Sequence, residues 1–148
     1  MKTVERKMTL VIDRIQRLKG LSKKIRSFKE YQKSTDVKDI AERNLQIAIE
    51  ACLDIGKIII SEKALRDPSD NKDLFIVLAE AGFISPSSLE FLKPMAGTRN
   101  ILVHGYDKVD DEVVYGILKR HLSDFEAFLK EVRDNYLYKS AQPTQRTQ

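Results

Sequence analysis

VKDIAERNLQIAIEACLDIGKIIISEKAL, residues 37–65, decides the fold. It holds no proline, and its one glycine, Gly56, sits among strong helix formers. Ile40, Ile47, Ala51, Ile55, Ile58 and Ile59 recur at helical spacing and are expected to supply most of its buried face. Cys52 shares the stripe with Ala48 and Ile55 and reads as a small buried hydrophobe. Ser34-Thr35-Asp36, just before the segment, offers N-cap chemistry and an acid for the positive end of the helix dipole.

The same period continues on both sides. Val4, Met8, Val11, Ile15, Leu18, Ile25 and Phe28 recur at steps of three, four or seven, which predicts one long amphipathic helix with Gly20 as a mild interruption. Asp67-Pro68-Ser69-Asp70-Asn71 is a turn cluster. A short helix is expected over about 72–81, closed by Gly82. Ser85-Pro86 reads as an N-cap followed by proline at the first helical position. Pro94 is expected to kink or divide that helix, because it lacks a donor and crowds the preceding turn. Gly105 is the expected stop. A last helix is expected from Asp111-Glu112, with Val114, Ile117, Leu118, Phe125, Phe128, Leu129 and Val132 on its inner face. No strand alternation and no repeat is visible. The expected fold is all-α: an antiparallel four-helix bundle with an additional short helix, one domain over 1–139, and a disordered polar tail over 140–148.

At 148 residues with 42% hydrophobic residues, the chain fits one ordinary core. A lone cysteine forms no internal disulfide. No secretory apolar segment opens the chain, and no apolar run approaches the ~20 residues needed to cross a bilayer. A cytoplasmic protein without membrane association is expected. The net charge of +4 is unevenly spread. Residues 1–33 carry eleven Lys/Arg against three acids, or +8, which leaves −4 for the rest. Such a segment is either an ordinary solvated helix face or an attractor for a polyanion such as RNA.

Two histidines and one cysteine are too few for a usual zinc site, and no HExxH is present. There is no GxxxxGK[ST], no GxGxxG and no G-x-S-x-G. No cofactor is expected. Asp110-Asp111 reads as helix-dipole chemistry. What remains is Arg99, Asn100, His104 and Tyr106, gathered within eight residues. Metal-free RNA cleavage needs a base for the ribose 2′-OH, an acid for the leaving 5′-oxygen, and a cation for the charge of the pentacoordinate state. Histidine suits the proton steps and arginine the charge. On an ideal helix His104 points about 140° away from Arg99, so a single copy does not aim both at one phosphate. Either the helix loosens at Gly105, or two copies meet across a twofold axis. A structural reading stands beside this one. His104 can be a helix C-cap, and Arg99 can pair with Glu50 or Asp54 as an ion pair of the bundle.

Arg99-Asn100-Ile101-Leu102-Val103-His104-Gly105-Tyr106 is similar to the R-x4-H-x-Y signature of HepT-like toxins, within the HEPN superfamily. The approach Met95 to Asn100 and the helix from Glu42 to Gly56 resemble the same family, and the likeness spans roughly residues 3 to 137. The resemblance implies a helical-bundle ribonuclease toxin that acts as a homodimer without metal. Arg99 and His104 would be catalytic, with Asn100 the polar residue after the arginine. Tyr106 would be the tyrosine that an MntA-type nucleotidyltransferase antitoxin adenylylates from ATP. Glu50 and Asp54 would face the motif helix as supports. The chain departs from the commoner pattern at Pro94 and Thr98. The competing function is a non-catalytic helical module that binds a nucleotidyltransferase partner or a nucleotide.

Overall fold

The computed structural model describes residues 2–138, with side chains for all of these except Tyr106. The expected tail over 140–148 lies outside the described residues. Seven α-helices follow in order: α1 (Lys2–Lys24), α2 (Phe28–Lys33), α3 (Thr35–Glu62), α4 (Asn71–Glu80), α5 (Pro86–His104), α6 (Asp111–Arg120) and α7 (Leu122–Val132). A 3-10 turn covers Tyr106–Lys108 and a π turn Arg133–Leu137, and no strand occurs among the described residues.

The helices start where the sequence supplies caps. Ser34 Oγ accepts from Val37 N, Asp70 Oδ1 from Asp73 N, and Ser85 Oγ from Ser88 N, with Pro86 in the first turn. Gly82, at φ +84°, provides the left-handed residue just beyond α4.

The bundle has α1, α3, α5 and α7 as its four members, each packed on the next and α7 closing back on α1. Cross-links fix their directions. Lys7 pairs with Asp54 and Arg14 reaches Asn44, so α1 and α3 run antiparallel. Ser85 N donates to Glu131 and the Phe91 ring meets Phe125, so α5 and α7 do too. The short α4 packs against α3 and α5, as the additional helix of the expected fold. Val4, Met8, Val11, Ile15 and Leu18 form the buried stripe of α1 as expected. Cys52 is fully buried, and burial pushes its thiol up.

Several expectations are corrected. The first amphipathic segment is two helices. α1 runs straight through Gly20 and ends before Ile25-Arg26-Ser27, where Ser27 caps α2. This elbow turns Ile25 and Tyr31 into the core. The last helix is also two, divided at His121. Pro94 does not divide α5, which runs unbroken to His104. Thr98 Oγ1 donates back to the Pro94 carbonyl one turn earlier. Within α3, Ile40 is 50% exposed, and Ile47 and Ile58 are only half-buried. The buried positions are Ala41, Asn44, Leu45, Ala48, Ile49, Ala51, Cys52, Leu53, Ile55, Gly56, Ile59 and Ile60, so the expected Ala51, Ile55 and Ile59 are among them. The reason is the environment of α3. It meets α1, α4 and α5 on different sides, so its core face is broader than one stripe, and Ile40 near its start falls outside that cover.

Candidate functional site

The chemistry-bearing segment is the last turn of α5 and the bend that follows. Leu92, Met95, Ala96 and Leu102 bury one side of α5, which fixes its rotation in the bundle. That rotation turns Arg99 toward α3. Arg99 Nε donates to Glu50 Oε2 at 3.1 Å, and Nη2 lies 3.1 Å from the same oxygen. Arg99 Nη1 donates to Asn100 Oδ1 at 3.2 Å. The guanidinium is thus held on two sides, with N–H groups left over for an anion. It is not sealed in, because 26% of the side chain is exposed.

His104 is the last residue of α5 and is exposed. Its ring makes no hydrogen bond to a described residue. The helix stays regular up to it, so the offset of about 140° from Arg99 is retained. The loosening expected at Gly105 comes one residue too late to turn the imidazole inward. Gly105 N donates to Ile101 O at 2.8 Å and ends the helix, as expected. A Cβ at Gly105 would sit 3.3 Å from that carbonyl, so the bend is tight around a residue without a side chain. Tyr106 opens the 3-10 turn directly after it.

Of the two acids expected to face the motif helix, Glu50 touches Arg99 and Asp54 is taken by Lys7 of α1 at 2.9 Å. Gln46 was absent from the sequence-based site. Its Nε2 donates to Glu50 Oε2 at 3.4 Å, and its position one turn before Glu50 was the available signal. Beside the motif, α5 and α6 enclose a groove of about 240 Å³ lined by Pro94, Thr98, Ile101, Leu102, Val109 and Val113. Ile101 and Val113 are 43% and 46% exposed there. Among the described residues no group of three or more His, Cys, Asp or Glu could hold a metal ion. Among the described residues no helix is long and apolar enough to cross a membrane.

A half-buried cation with donors to spare, an exposed imidazole and an apolar groove lie on one short segment. That combination can bind a phosphodiester and exchange protons with it. Residues 11–132 match the family described as Ribonuclease HepT-like. The mRNA nuclease HepT of Shewanella oneidensis is 30% identical over 128 residues, which is 84% of this chain and 96% of the relative. The tRNA nuclease HepT of Aphanizomenon flos-aquae is 29% identical over 111 residues, 75% of either chain. A solved structure of a tri-AMPylated Shewanella oneidensis HEPN toxin in complex with MNT antitoxin superposes with a TM-score of 0.82 at 28% identity, covering 90% of this chain and 98% of that one.

Proposed function

The chain belongs to the HepT-like ribonuclease family, and from that premise we propose that it is an endoribonuclease toxin of a toxin–antitoxin pair. The reading is carried by one observation: Arg99 is anchored yet open to an anion, and His104 is exposed five residues on, at the end of the same helix. His104 takes the proton of the ribose 2′-OH. The 2′-oxygen attacks the adjacent phosphorus, and Arg99 donates to the non-bridging oxygens as their charge grows. A second imidazole protonates the departing 5′-oxygen. The products are a 2′,3′-cyclic phosphate and a 5′-hydroxyl. DNA lacks the attacking hydroxyl and is spared. This route calls on no metal ion.

The second imidazole comes from a second copy. The 140° offset leaves one chain short of a complete site. The apolar groove beside His104, with Ile101 and Val113 exposed, supplies a surface for a homodimer to cover. The partner antitoxin is an MntA-type nucleotidyltransferase that adenylylates Tyr106. The AMPylated state and MNT partner of the Shewanella toxin support this. An anionic adenylate on the turn after His104 repels RNA phosphates from the site. The chain acts in the cytoplasm, on RNA.

Incubating the purified protein and its His104→Ala variant with RNA in EDTA tests the mechanism. Cleavage by the first alone, leaving cyclic phosphate ends, is expected. Equal cleavage by both refutes the role of His104. If the chain expressed alone does not slow growth and neither protein cuts RNA, the chain is a non-catalytic docking module. With the partner and ATP, Tyr106→Phe is expected to lose the mass increase of adenylate; a label on another residue refutes that assignment.

A further inference from the structure

We propose that the α1–α2 elbow is an RNA-binding surface separate from the cleavage site, a patch of cations that captures single-stranded substrate. The inference rests on the ribonuclease reading above and adds the surface that captures its substrate.

Of the eleven cations of residues 1–33, Lys2 and Arg6 are exposed near the start of α1, and the other nine divide into two sets. Lys7, Arg17 and Lys19 are spent on Asp54, Asp13 and Glu126, and Arg14 leans on Asn44 and Asp13. Lys23, Lys24, Arg26, Lys29 and Lys33 are all exposed. None of these five forms an ion pair among the described residues. They fall within eleven consecutive residues that contain one acid, Glu30. That acid is occupied by the backbone, since Arg26 N donates to Glu30 Oε1 at 2.9 Å.

The elbow that carries them is fixed in place. Lys119 Nζ of α6 donates to the carbonyls of Ser22 and Ile25, at 2.6 Å each, which ties the end of α1 to the bundle. Phe28 and Tyr31 pack on Tyr115. The cations therefore project from a rigid corner, and less ordering entropy is lost on binding.

The chemistry selects a polyanion. Ile25 and Tyr31 are buried and Phe28 is half-buried, so the elbow offers no apolar anchor of the sort that a protein interface or a membrane-inserting face uses. Exposed, unpaired cations without apolar anchors fit a chain of phosphates with counterions to release. The placement fits as well. α6 reaches from the elbow, touched by Lys119, to Asp111, which pairs with Lys38 just after the motif turn. Its ten residues rise about 15 Å, so the elbow and the motif turn stand about one short helix apart.

The test replaces Lys23, Lys24, Arg26, Lys29 and Lys33 with glutamine in the full chain, with circular dichroism to check the helices. Fluorescence anisotropy with a labelled single-stranded RNA, in a His104→Ala background, reads affinity over a salt series. The variant is expected to bind at least tenfold more weakly near 0.15 M salt, and its log–log salt slope to flatten by up to about 3.5. With His104 present, KM is expected to rise while kcat holds. A control that removes five cations elsewhere, at Lys57, Lys63, Lys72, Lys93 and Lys130, is expected to bind RNA nearly as the parent does. Unchanged affinity and slope in the elbow variant overturn the proposal, as does an equal loss in the control. If the elbow variant binds RNA normally but no longer retains the nucleotidyltransferase, the surface docks protein and the proposal is wrong. Cleavage by the parent with no elbow effect sinks this inference alone; a parent that neither binds nor cuts RNA sinks the ribonuclease reading with it.

Discussion

Replacing Glu50 with alanine asks whether the Arg99 guanidinium is aimed or merely neutralised. Glu50 Oε2 accepts from Arg99 Nε at 3.1 Å, with side chains 34% and 26% exposed. A pair this open contributes at most about 1 kcal/mol to stability, so the fold is expected to survive its loss. A charge-assisted hydrogen bond spent on orientation is another matter. If its roughly 1.5–3 kcal/mol serves the transition state, kcat falls about 10- to 100-fold in Glu50→Ala. An opposing effect acts on binding. A carboxylate about 4 Å from the guanidinium opposes its attraction for phosphate by roughly 1–4 kcal/mol, depending on the local dielectric. Removing it tightens ground-state binding, so KM is expected to hold or fall while kcat drops. Glu50→Gln keeps an acceptor oxygen and is expected to lose less than about tenfold in kcat. Initial rates on a labelled RNA give the two constants, and urea unfolding gives the stability. Wild-type kcat in Glu50→Ala would refute the aiming role. A stability loss of about 3 kcal/mol would instead mark the pair as a structural tie of α3 to α5.

Other consequences follow from groups outside the site. Burial, with Asp111 and Asp39 nearby, pushes the Glu42 carboxyl up. A raised carboxyl binds its proton more tightly in the folded chain, so its penalty is absent below the ordinary carboxylate range and grows as pH rises through the raised value. Glu42→Gln is therefore expected to stabilise the protein at pH 7 and not at pH 3, by urea midpoints; an equal gain at both would reject the cause. Phe128 is fully buried and meets Phe75 edge to face, with centroids 6.2 Å apart. Phe128→Ala is expected to cost about 3–5 kcal/mol in chemical unfolding, and a cost below about 1 would contradict the packing. Lys119→Met removes the donor shared by the Ser22 and Ile25 carbonyls. A loss of about 1.5 kcal/mol is expected, with faster amide exchange at the end of α1; unaltered exchange there would dismiss the tie.

The sequence by itself determined the helical fold and the place of the chemistry. Period, caps and breakers are local properties, so α3, the Ser85-Pro86 start and the Gly82 and Gly105 stops were legible before any packing was known. The motif was legible because its groups lie within eight residues on one element. Only the tertiary structure decided which face of α3 is buried, because α1, α4 and α5 cover it from different sides and leave Ile40 out. It also placed the breaks at Ile25-Arg26-Ser27 and His121, where apolar spacing continues across a bend that the core imposes. Partner choice was beyond the sequence for the same reason. Glu50 and Asp54 lie one turn apart with the same charge, and the rotation of α3 between α1 and α5 gives Glu50 to Arg99 and Asp54 to Lys7.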